Sequence, residues 1–417
     1  MGVGVILGAG IYALVGKAAA LSGNAVWLSF LLAALVAALT GLSYAELSSF
    51  ITKAGGEYYY IRRAFGRFFA FLLSWLLIMG LTIAGGAVAL GFGGYFSALF
   101  DTNIVWTAVV LIILIAIALY IGTEQAAWIA VACTVLEIAG IVVVIAVGLP
   151  EMGSVNYFEL ASDTSGIIAA GALIFFAYIG FDEIVQLAEE CKQPEKTIPR
   201  AILLSIFITT VLYVLVAIAV ISVLPWESLS GSNSPLADVV AKSLGQEAFF
   251  LLSIIALFST SNTVLLIMLA ASRLLYGMAK SGSVPSLFAT IHQKNQTPHK
   301  ATIAIAIVAI IMVLLLQKIE IIANLTNLAF FTTFLLVNAA VIALRFKEPH
   351  AKRLFRIPFS LAGVPIIPVL AVFTIFIMML NVGRDALLMG CGMLILGAII
   401  YIFMLKTNTK ITDSIDK

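Results

Sequence analysis

The apolar stretch over residues 3–21 reads VGVILGAGIYALVGKAAAL and is interrupted by Gly8-Ala9-Gly10. In lipid a backbone must satisfy its own hydrogen bonds, so unwound chain at membrane depth persists only where protein buries it or where it lines a cavity. A second interruption, YIGFDE over residues 178–183, lies near the middle of the chain. Paired interruptions in matching halves are typical of proteins that carry solutes across membranes.

Composition places the chain in the membrane. Hydrophobic residues make up 62% of the 417 residues and charged residues 11%, and apolar runs recur at the ~20 residues needed to cross a ~30 Å hydrocarbon core. We therefore predict an all-α polytopic membrane protein with twelve transmembrane helices. The predicted spans are residues 1–21, 25–50, 66–97, 103–122, 126–149, 166–189, 200–224, 245–277, 301–317, 321–345, 359–381 and 385–405.

The basic residues give an independent prediction of topology, because cytoplasmic loops of membrane proteins carry an excess of Lys and Arg. With the first end placed inside, 19 of the 23 Lys and Arg residues fall on the inner side. This asymmetry predicts a multi-pass protein of the cell membrane with both termini in the cytoplasm. The net charge of +2 is then explained by topology, and no nucleic-acid partner is expected.

The residues that carry metal and catalytic chemistry are few. Cys133, Cys191 and Cys391 are too scattered for a disulfide or metal framework, and all three histidines fall in predicted loops. We expect no metal, no cofactor and no catalytic residues, so the chain is not predicted to be an enzyme. The sequence shows no appended soluble domain that would bind another protein, and we expect no obligatory protein partner.

The two halves of the chain are predicted to form an inverted repeat of five helices each. The whole of 1–417 is predicted to form one transporter domain, with a first repeat over 1–150, a second over 151–347, and helices eleven and twelve over 348–417. Only seven residues precede Gly8, which at 1.5 Å per residue reach ~10 Å of the ~15 Å from the bilayer centre to its interface. The first helix is therefore expected to be truncated at its amino end.

Several motifs resemble those of the amino acid–polyamine–organocation transporter family, above all its cationic amino acid transporter branch and prokaryotic relatives. The motifs are GAGIY (8–12), YAEL (44–47), AGGEY (54–58), residues 175–190, PEKTIPRA (194–201) and SRLLYGM (272–278). The resemblance implies a leucine-transporter-like fold, a five-plus-five inverted repeat plus two C-terminal helices. It also implies transport of an amino acid by alternating access.

The resemblance carries a set of substrate-binding residues at the two interruptions. Ala9, Gly10 and Ile11 would bind the substrate carboxylate, because the start of a half-helix presents unpaired N–H groups and the positive end of its dipole. Carbonyl groups at the other interruption and before Gly8 would bind the ammonium group, and Phe176 resembles a gating aromatic, although it has an equal case as a packing residue. The predicted set is Ile6, Gly8, Ala9, Gly10, Ile11, Phe176, Ala177, Ile179, Gly180 and Asp182.

Acidic residues near the interruptions have more ordinary interpretations. Asp182 and Glu183 follow the second break, and at least one of them is expected to cap the next half-helix. Glu46 and Glu57 lie close in sequence to Lys53, Arg62 and Arg63, which favours solvated ion pairs.

Glu137 differs because it is centred in the predicted fifth span. A charge at that depth costs about 2.5–3.5 kcal/mol, so the residue is a candidate for carrying the coupling proton. Relatives commonly place a lysine there, and the acid here leaves the lysine mechanism open. Glu137 as a sodium ligand, completed by Ser259, Thr260 or Ser261, is a second interpretation, and a protonated structural Glu is a third.

The sequence predicts the substrate class only through one position. Cationic transporters of this branch carry an acid on the third helix where this chain has Gly80, and an uncompensated buried charge is costly. We therefore expect a proton-coupled symporter, or permease, for small neutral amino acids, with a cationic amino acid transporter or exchanger as the alternative. Asp182 or Glu183 pointing inward would reverse that order. A membrane sensor that binds an amino acid without moving it is the alternative from another class.

Overall fold

The computed structural model describes residues 3, 6–8, 10–52, 56–121, 126–292, 295, 297–361 and 363–407. The described residues are almost entirely helical, which confirms the predicted all-α class, and they include one two-stranded hairpin, β1 (Ser360–Leu361) with β2 (Val364–Pro365). The α-helices are α1 Gly10–Ser22, α2 Val26–Ser48, α3 Gly56–Phe65, α4 Arg67–Phe100, α5 Ile104–Ile121, α6 Ala126–Gly148, α7 Thr164–Ile174, α8 Pro194–Val223, α9 Trp226–Gly231, α10 Pro235–Leu244, α11 Gln246–Lys280, α12 His299–Leu316, α13 Ile319–Lys347, α14 Ile366–Leu380 and α15 Arg384–Thr407.

In the part of the chain that the structure describes, ten helical stretches are long and apolar enough to cross a membrane. The first of them, Gly10–Ser48, contains both α1 and α2, joined by the 3₁₀ turn Gly23–Ala25. The apolar helix α14 has 15 residues and is shorter than any of these ten stretches. The multi-pass architecture is therefore established, and the number twelve stays a prediction.

The turn between α1 and α2 depends on a glycine. Gly23 has a φ of +67°, and a Cβ there would lie 2.6 Å from the amide nitrogen of Ala161. Only glycine enters this backbone region without steric cost. The chain can therefore reverse its direction directly after the short first helix.

The core is formed by contacts between long helices that are distant in sequence. The long helix α4 packs against α11 and α13, while α2 packs against α8 and α1 packs against α7. Helix α5 packs against α12 in the same way. The short helix α1 is thereby enclosed by protein, with Ile11, Leu14 and Val15 fully buried.

A buried ionic cluster ties the end of α2 to the end of α13 and the segment after it. Arg345 donates from Nε to Glu46 Oε1 at 2.9 Å and from Nη2 to Oε2 at 2.5 Å. Glu46 Oε2 also accepts the N–H of Ile357 at 2.8 Å, and Arg353 Nε lies 3.4 Å from Oε1. We call these four residues the Glu46 cluster.

The expectation of solvated pairing for Glu46 is wrong, because its side chain is 1% exposed and its partner Arg345 lies 299 residues away. Glu57 is also buried, so it is not a solvated surface carboxylate either. Lys53 lies outside the described residues. Local sequence neighbours are a poor guide here because the helix ends of distant segments converge on the same place.

We predict that Glu46→Gln lowers the melting temperature of the detergent-purified protein strongly. Removing one partner of a buried pair leaves an uncompensated charge and costs about 3–5 kcal/mol. The matched control is Glu348→Gln, whose pair with Arg63 is 28% and 46% exposed and is worth about 0–1 kcal/mol. Equal shifts for the two variants, measured by scanning fluorimetry, would contradict the role of the Glu46 cluster.

Candidate functional site

The second predicted interruption is present. Helix α7 ends at Ile174, a 3₁₀ turn covers Phe175–Tyr178, and Ile179 is extended with φ −60° and ψ 138°. Gly180 follows with a φ of +120°, a region that favours glycine. A second 3₁₀ segment, Asp182–Glu190, then begins.

The first predicted interruption is present as well. Gly8 is not helical, and α1 begins at Gly10, so the first N–H groups of α1 have no acceptor within their own helix. Ala9, one of the residues predicted to bind the carboxylate, lies outside the described residues. Ile11 follows in the first turn of α1 and is fully buried.

The two interruptions touch each other. A Cβ added at Gly10 would lie 2.6 Å from the Cα of Ala177, and one at Gly8 would lie 3.0 Å from Oγ1 of Thr263 on α11. A larger residue at position 10 would therefore collide with backbone. The glycines permit the start of α1 to lie directly against the broken end of α7.

Tyr213 on α8 links the two interruptions. Its hydroxyl lies 2.8 Å from the carbonyl oxygen of Ile6 and 3.1 Å from that of Ala177, and can donate its proton to either one. The ring packs edge-on against Tyr178 with centroids 5.3 Å apart. Sequence reasoning missed this residue; its one signal is a tyrosine within an apolar helix, since a buried tyrosine hydroxyl requires a partner.

The end of α7 is satisfied by a second side chain. Nδ2 of Asn327 on α13 donates to the carbonyls of Ala172 at 2.7 Å and Leu173 at 3.0 Å. The last carbonyls of any helix lack intrahelical partners. Helix α13, which lies far along the chain from α7, therefore stabilises the end of the broken helix.

A cavity lies where the interruptions meet. Seven of the predicted residues line it, and Ile11 and Asp182 do not. Asp182 is buried, and its Oδ1 accepts the N–H of Gly180 at 3.0 Å. The lining residues are Ile6, Gly8, Gly10, Leu81, Ala84, Val88, Phe176, Ala177, Ile179, Gly180, Glu183, Asn262, Thr263, Leu266 and Ile267.

Glu137 lies apart from this cavity, on α6. The residue is 1% exposed, and neither carboxylate oxygen has a hydrogen-bond partner among the described residues. The hydroxyl of Ser259 lies close to the carboxylate but does not meet the geometry of a hydrogen bond.

The other two residues predicted beside Glu137 bond to their own helix. Thr260 Oγ1 donates to Ala256 at 2.7 Å, and Ser261 Oγ donates to Phe258 at 3.0 Å. The structure therefore brings Ser259 alone of the three to the Glu137 carboxylate.

The backbone of Glu137 is joined to the first interruption. Tyr12 on α1 donates its hydroxyl proton to the Glu137 carbonyl at 2.9 Å, and Tyr95 donates to the Tyr12 carbonyl at 3.0 Å. Gly140 makes room for this contact, since a Cβ there would lie 2.5 Å from the Tyr12 hydroxyl. Helix α1 thus connects the cavity to the surroundings of Glu137.

Gly80 contacts α13 and does not line the cavity. A Cβ at this position would lie 3.1 Å from the ring of Phe330 and 3.2 Å from Cβ of Ala329. A side chain at position 80 would therefore contact α13. The absence of an acid at Gly80 carries no information about the charge of the cavity.

A family model described as amino acid permease matches residues 1–411. The chain is 29% identical to the branched-chain amino acid permease BcaP of Bacillus subtilis, over 99% of this chain and 92% of that protein. It is 31% identical to the methylthioribose transporter of Bacillus subtilis, over 89% of this chain and 84% of that protein. It is also 30% identical to the vacuolar cationic amino acid transporter 4 of Arabidopsis thaliana, over 84% of this chain and 62% of that protein.

The broken helices and the matched family agree with the resemblance seen in the motifs. The relatives are named as permeases and transporters, which are not enzymes. The chain belongs to the amino acid permease family.

Proposed function

We propose that this protein is a proton-coupled secondary transporter that moves an α-amino acid across the cell membrane by alternating access. The observation that carries the proposal is the contact between two broken helices at one cavity. One break presents the start of a helix and the other presents carbonyls at the end of a helix. These are the two dipole ends that suit the carboxylate and the ammonium group of a zwitterion.

The substrate carboxylate binds at the first turn of α1. The N–H groups after Gly8 lack helical acceptors, and no side chain can occupy the space at Gly10 because of its contact with Ala177. The ammonium group binds the carbonyls of Ile6, Phe176 and Ile179. Tyr213 already bonds to the Ile6 carbonyl, but a carbonyl oxygen has a second lone pair for the substrate.

Helix packing supports the proposed inverted repeat over 1–150 and 151–347. In such a repeat α1 corresponds to α7, α2 to α8, α4 to α11 and α5 to α12. Each of these four pairs is in contact, which is expected of equivalent helices that lie beside a pseudo-two-fold axis. The broken helices then occupy matching places beside that axis, and helices α14 and α15 lie outside the repeat.

Glu137 carries the coupling proton in this proposal. A buried carboxylate without hydrogen-bond partners is costly when charged, so the residue takes up a proton unless a cation replaces it. The Tyr12 hydroxyl bonds to the carbonyl of the same residue. A change in the protonation of Glu137 can therefore alter the position of α1, the helix that begins at the substrate cavity.

Two of the reported relatives are named for branched-chain and for cationic amino acids, and what these substrates share is the α-amino acid group. The third is named for methylthioribose. The residue at position 80 does not favour a neutral substrate over a cationic one, because Gly80 faces α13. The distribution of Lys and Arg supports a cytoplasmic location of both termini.

The first test is uptake of labelled amino acids into proteoliposomes under an imposed proton gradient. We predict concentrative, saturable uptake that Glu137→Gln abolishes, because the amide cannot exchange a proton, while counterflow exchange of substrate persists. The control Glu151→Gln changes an exposed carboxylate just beyond α6 and leaves uptake unchanged. Uptake that follows a sodium gradient, or proton-driven uptake that survives Glu137→Gln, refutes this assignment. Binding without flux identifies a sensor.

The second test concerns the contact between the interruptions. We predict that Gly10→Ala reduces substrate binding by roughly tenfold or more, since overpacking against backbone costs about 1–3 kcal/mol. The matched control is Gly277→Ala on α11, where an added Cβ has no atom within 4 Å, and this variant binds as the parent does. Normal binding by Gly10→Ala, in a protein that elutes as a single species, would exclude position 10 from the site.

A further inference from the structure

Residues 352–361, with the sequence KRLFRIPFSL, lead from the end of α13 into strand β1. Two of these residues belong to the Glu46 cluster. The Arg353 side chain is 5% exposed and lies against Glu46, and the buried Ile357 donates its N–H to the same carboxylate at 2.8 Å. The 352–361 segment is therefore anchored to the end of α2.

Two cations of the same segment face away from the protein. Lys352 and Arg356 are exposed, whereas their neighbours Arg353 and Ile357 contact Glu46. Among the residues that the structure describes, no ion pair joins Lys352 or Arg356 to an acid. One side of the segment thus binds the protein, and the other side presents positive charge to its surroundings.

The charges around the Glu46 cluster do not balance. Burial lowers the pKa of the Arg353 guanidinium, and the nearby charges of Arg345 and Arg356 lower it further, against the opposing effects of Glu46 and Glu348. Arg345 and Arg353 already bind the Glu46 carboxylate, and Glu348 has its own arginine partner. The charge of Arg356 is left over, and an excess of positive charge attracts an anion.

The 352–361 segment also exposes large apolar side chains. Leu354 is 52% exposed, and Phe359 and Leu361 are each 73% exposed. The carbonyl of Phe359 accepts the N–H of Ile366, the first residue of α14, at 3.0 Å. Helix α14 is apolar and packs along α13, which is long enough to span a membrane. Phe359 therefore lies at the membrane surface, at the end of membrane-embedded helices.

Exposed cations and exposed apolar side chains on one segment at this depth have a common partner. Basic residues next to a membrane span bind the headgroups of anionic lipids, and apolar side chains beside them enter the boundary between headgroups and acyl chains. A soluble anion would use the cations and leave the apolar side chains in water. The combination therefore favours a lipid over a free anion.

We propose that the 352–361 segment is a binding site for anionic phospholipids, with Lys352 and Arg356 at the phosphate group and Leu354, Phe359 and Leu361 at the acyl-chain boundary. Because the same segment is anchored to the Glu46 cluster, the bound lipid stabilises the junction between α2 and α13. The inference is independent of the substrate that the protein carries.

The test is a lipid titration of the purified full chain in a neutral detergent. Dioctanoyl phosphatidylglycerol or dioctanoyl phosphatidylcholine is added, bound lipids are counted by native mass spectrometry, and melting is followed by scanning fluorimetry. We expect phosphatidylglycerol to bind roughly tenfold or more tightly than phosphatidylcholine and to raise the melting temperature. In the double variant Lys352→Gln/Arg356→Gln it binds roughly thirtyfold more weakly, since each basic residue near an anionic surface contributes about fivefold.

Two further double variants serve as controls. Lys192→Gln/Lys196→Gln removes two exposed positive charges from another loop and is expected to bind phosphatidylglycerol as the parent does. Lys352→Arg/Arg356→Lys keeps the charge of the segment and is expected to keep the lipid response. All four substituted side chains are exposed, and elution as a single species establishes that each variant is folded.

Glycerol 3-phosphate separates a lipid from a soluble anion, because it presents the phosphate group without acyl chains. We expect it to leave the melting temperature unchanged at the same concentrations. Stabilisation equal to that by phosphatidylglycerol would assign the site to a soluble phosphate ester and overturn the proposal. Equal responses to phosphatidylglycerol and phosphatidylcholine, or equal losses in the two Lys/Arg→Gln double variants, would overturn it as well.

Discussion

The structure depends on satisfying the backbone where two helices are broken inside an apolar protein. Unpaired amides and carbonyls are costly away from water, and each break here is supported by a neighbour. The Tyr213 hydroxyl lies within hydrogen-bond distance of the carbonyls of Ile6 and Ala177 and can donate to either one. Asn327 donates to the carbonyls of Ala172 and Leu173 near the end of α7. The N–H groups at the start of α1 have no acceptor within that helix, and Gly8 and Gly10 line the cavity, so these groups are available to a substrate.

The same short helix serves both halves of the proposed mechanism. Helix α1 begins at the cavity, against Ala177, and two residues later Tyr12 bonds to the backbone of Glu137. A substrate that binds at the start of α1 and a proton that binds on α6 therefore act on one element. Coupling between two ligands requires that both bias the same conformational equilibrium, and α1 is the element in position to do so.

The sequence was informative where local chemistry decides the structure and uninformative where distant segments meet. Gly8 and Gly180 indicated the two helix breaks in the sequence, because no other residue type combines small size with such backbone freedom. Tyr213 and the pairing of Glu46 could not be predicted, since their partners come from remote helices and an apolar span shows no strong periodicity. Gly80 is a third example, because the sequence of an apolar helix does not reveal which face lines a cavity and which face contacts a neighbouring helix.

The most direct measurement is an experimental structure of the protein determined with its amino acid substrate bound. The account predicts ligand density in the cavity between the interruptions, with the carboxylate at the amides after Gly8 and the ammonium group at the carbonyls of Phe176 and Ile179. Continuous helix through residues 8–10 and 178–182, or ligand bound elsewhere with this cavity closed, would contradict it.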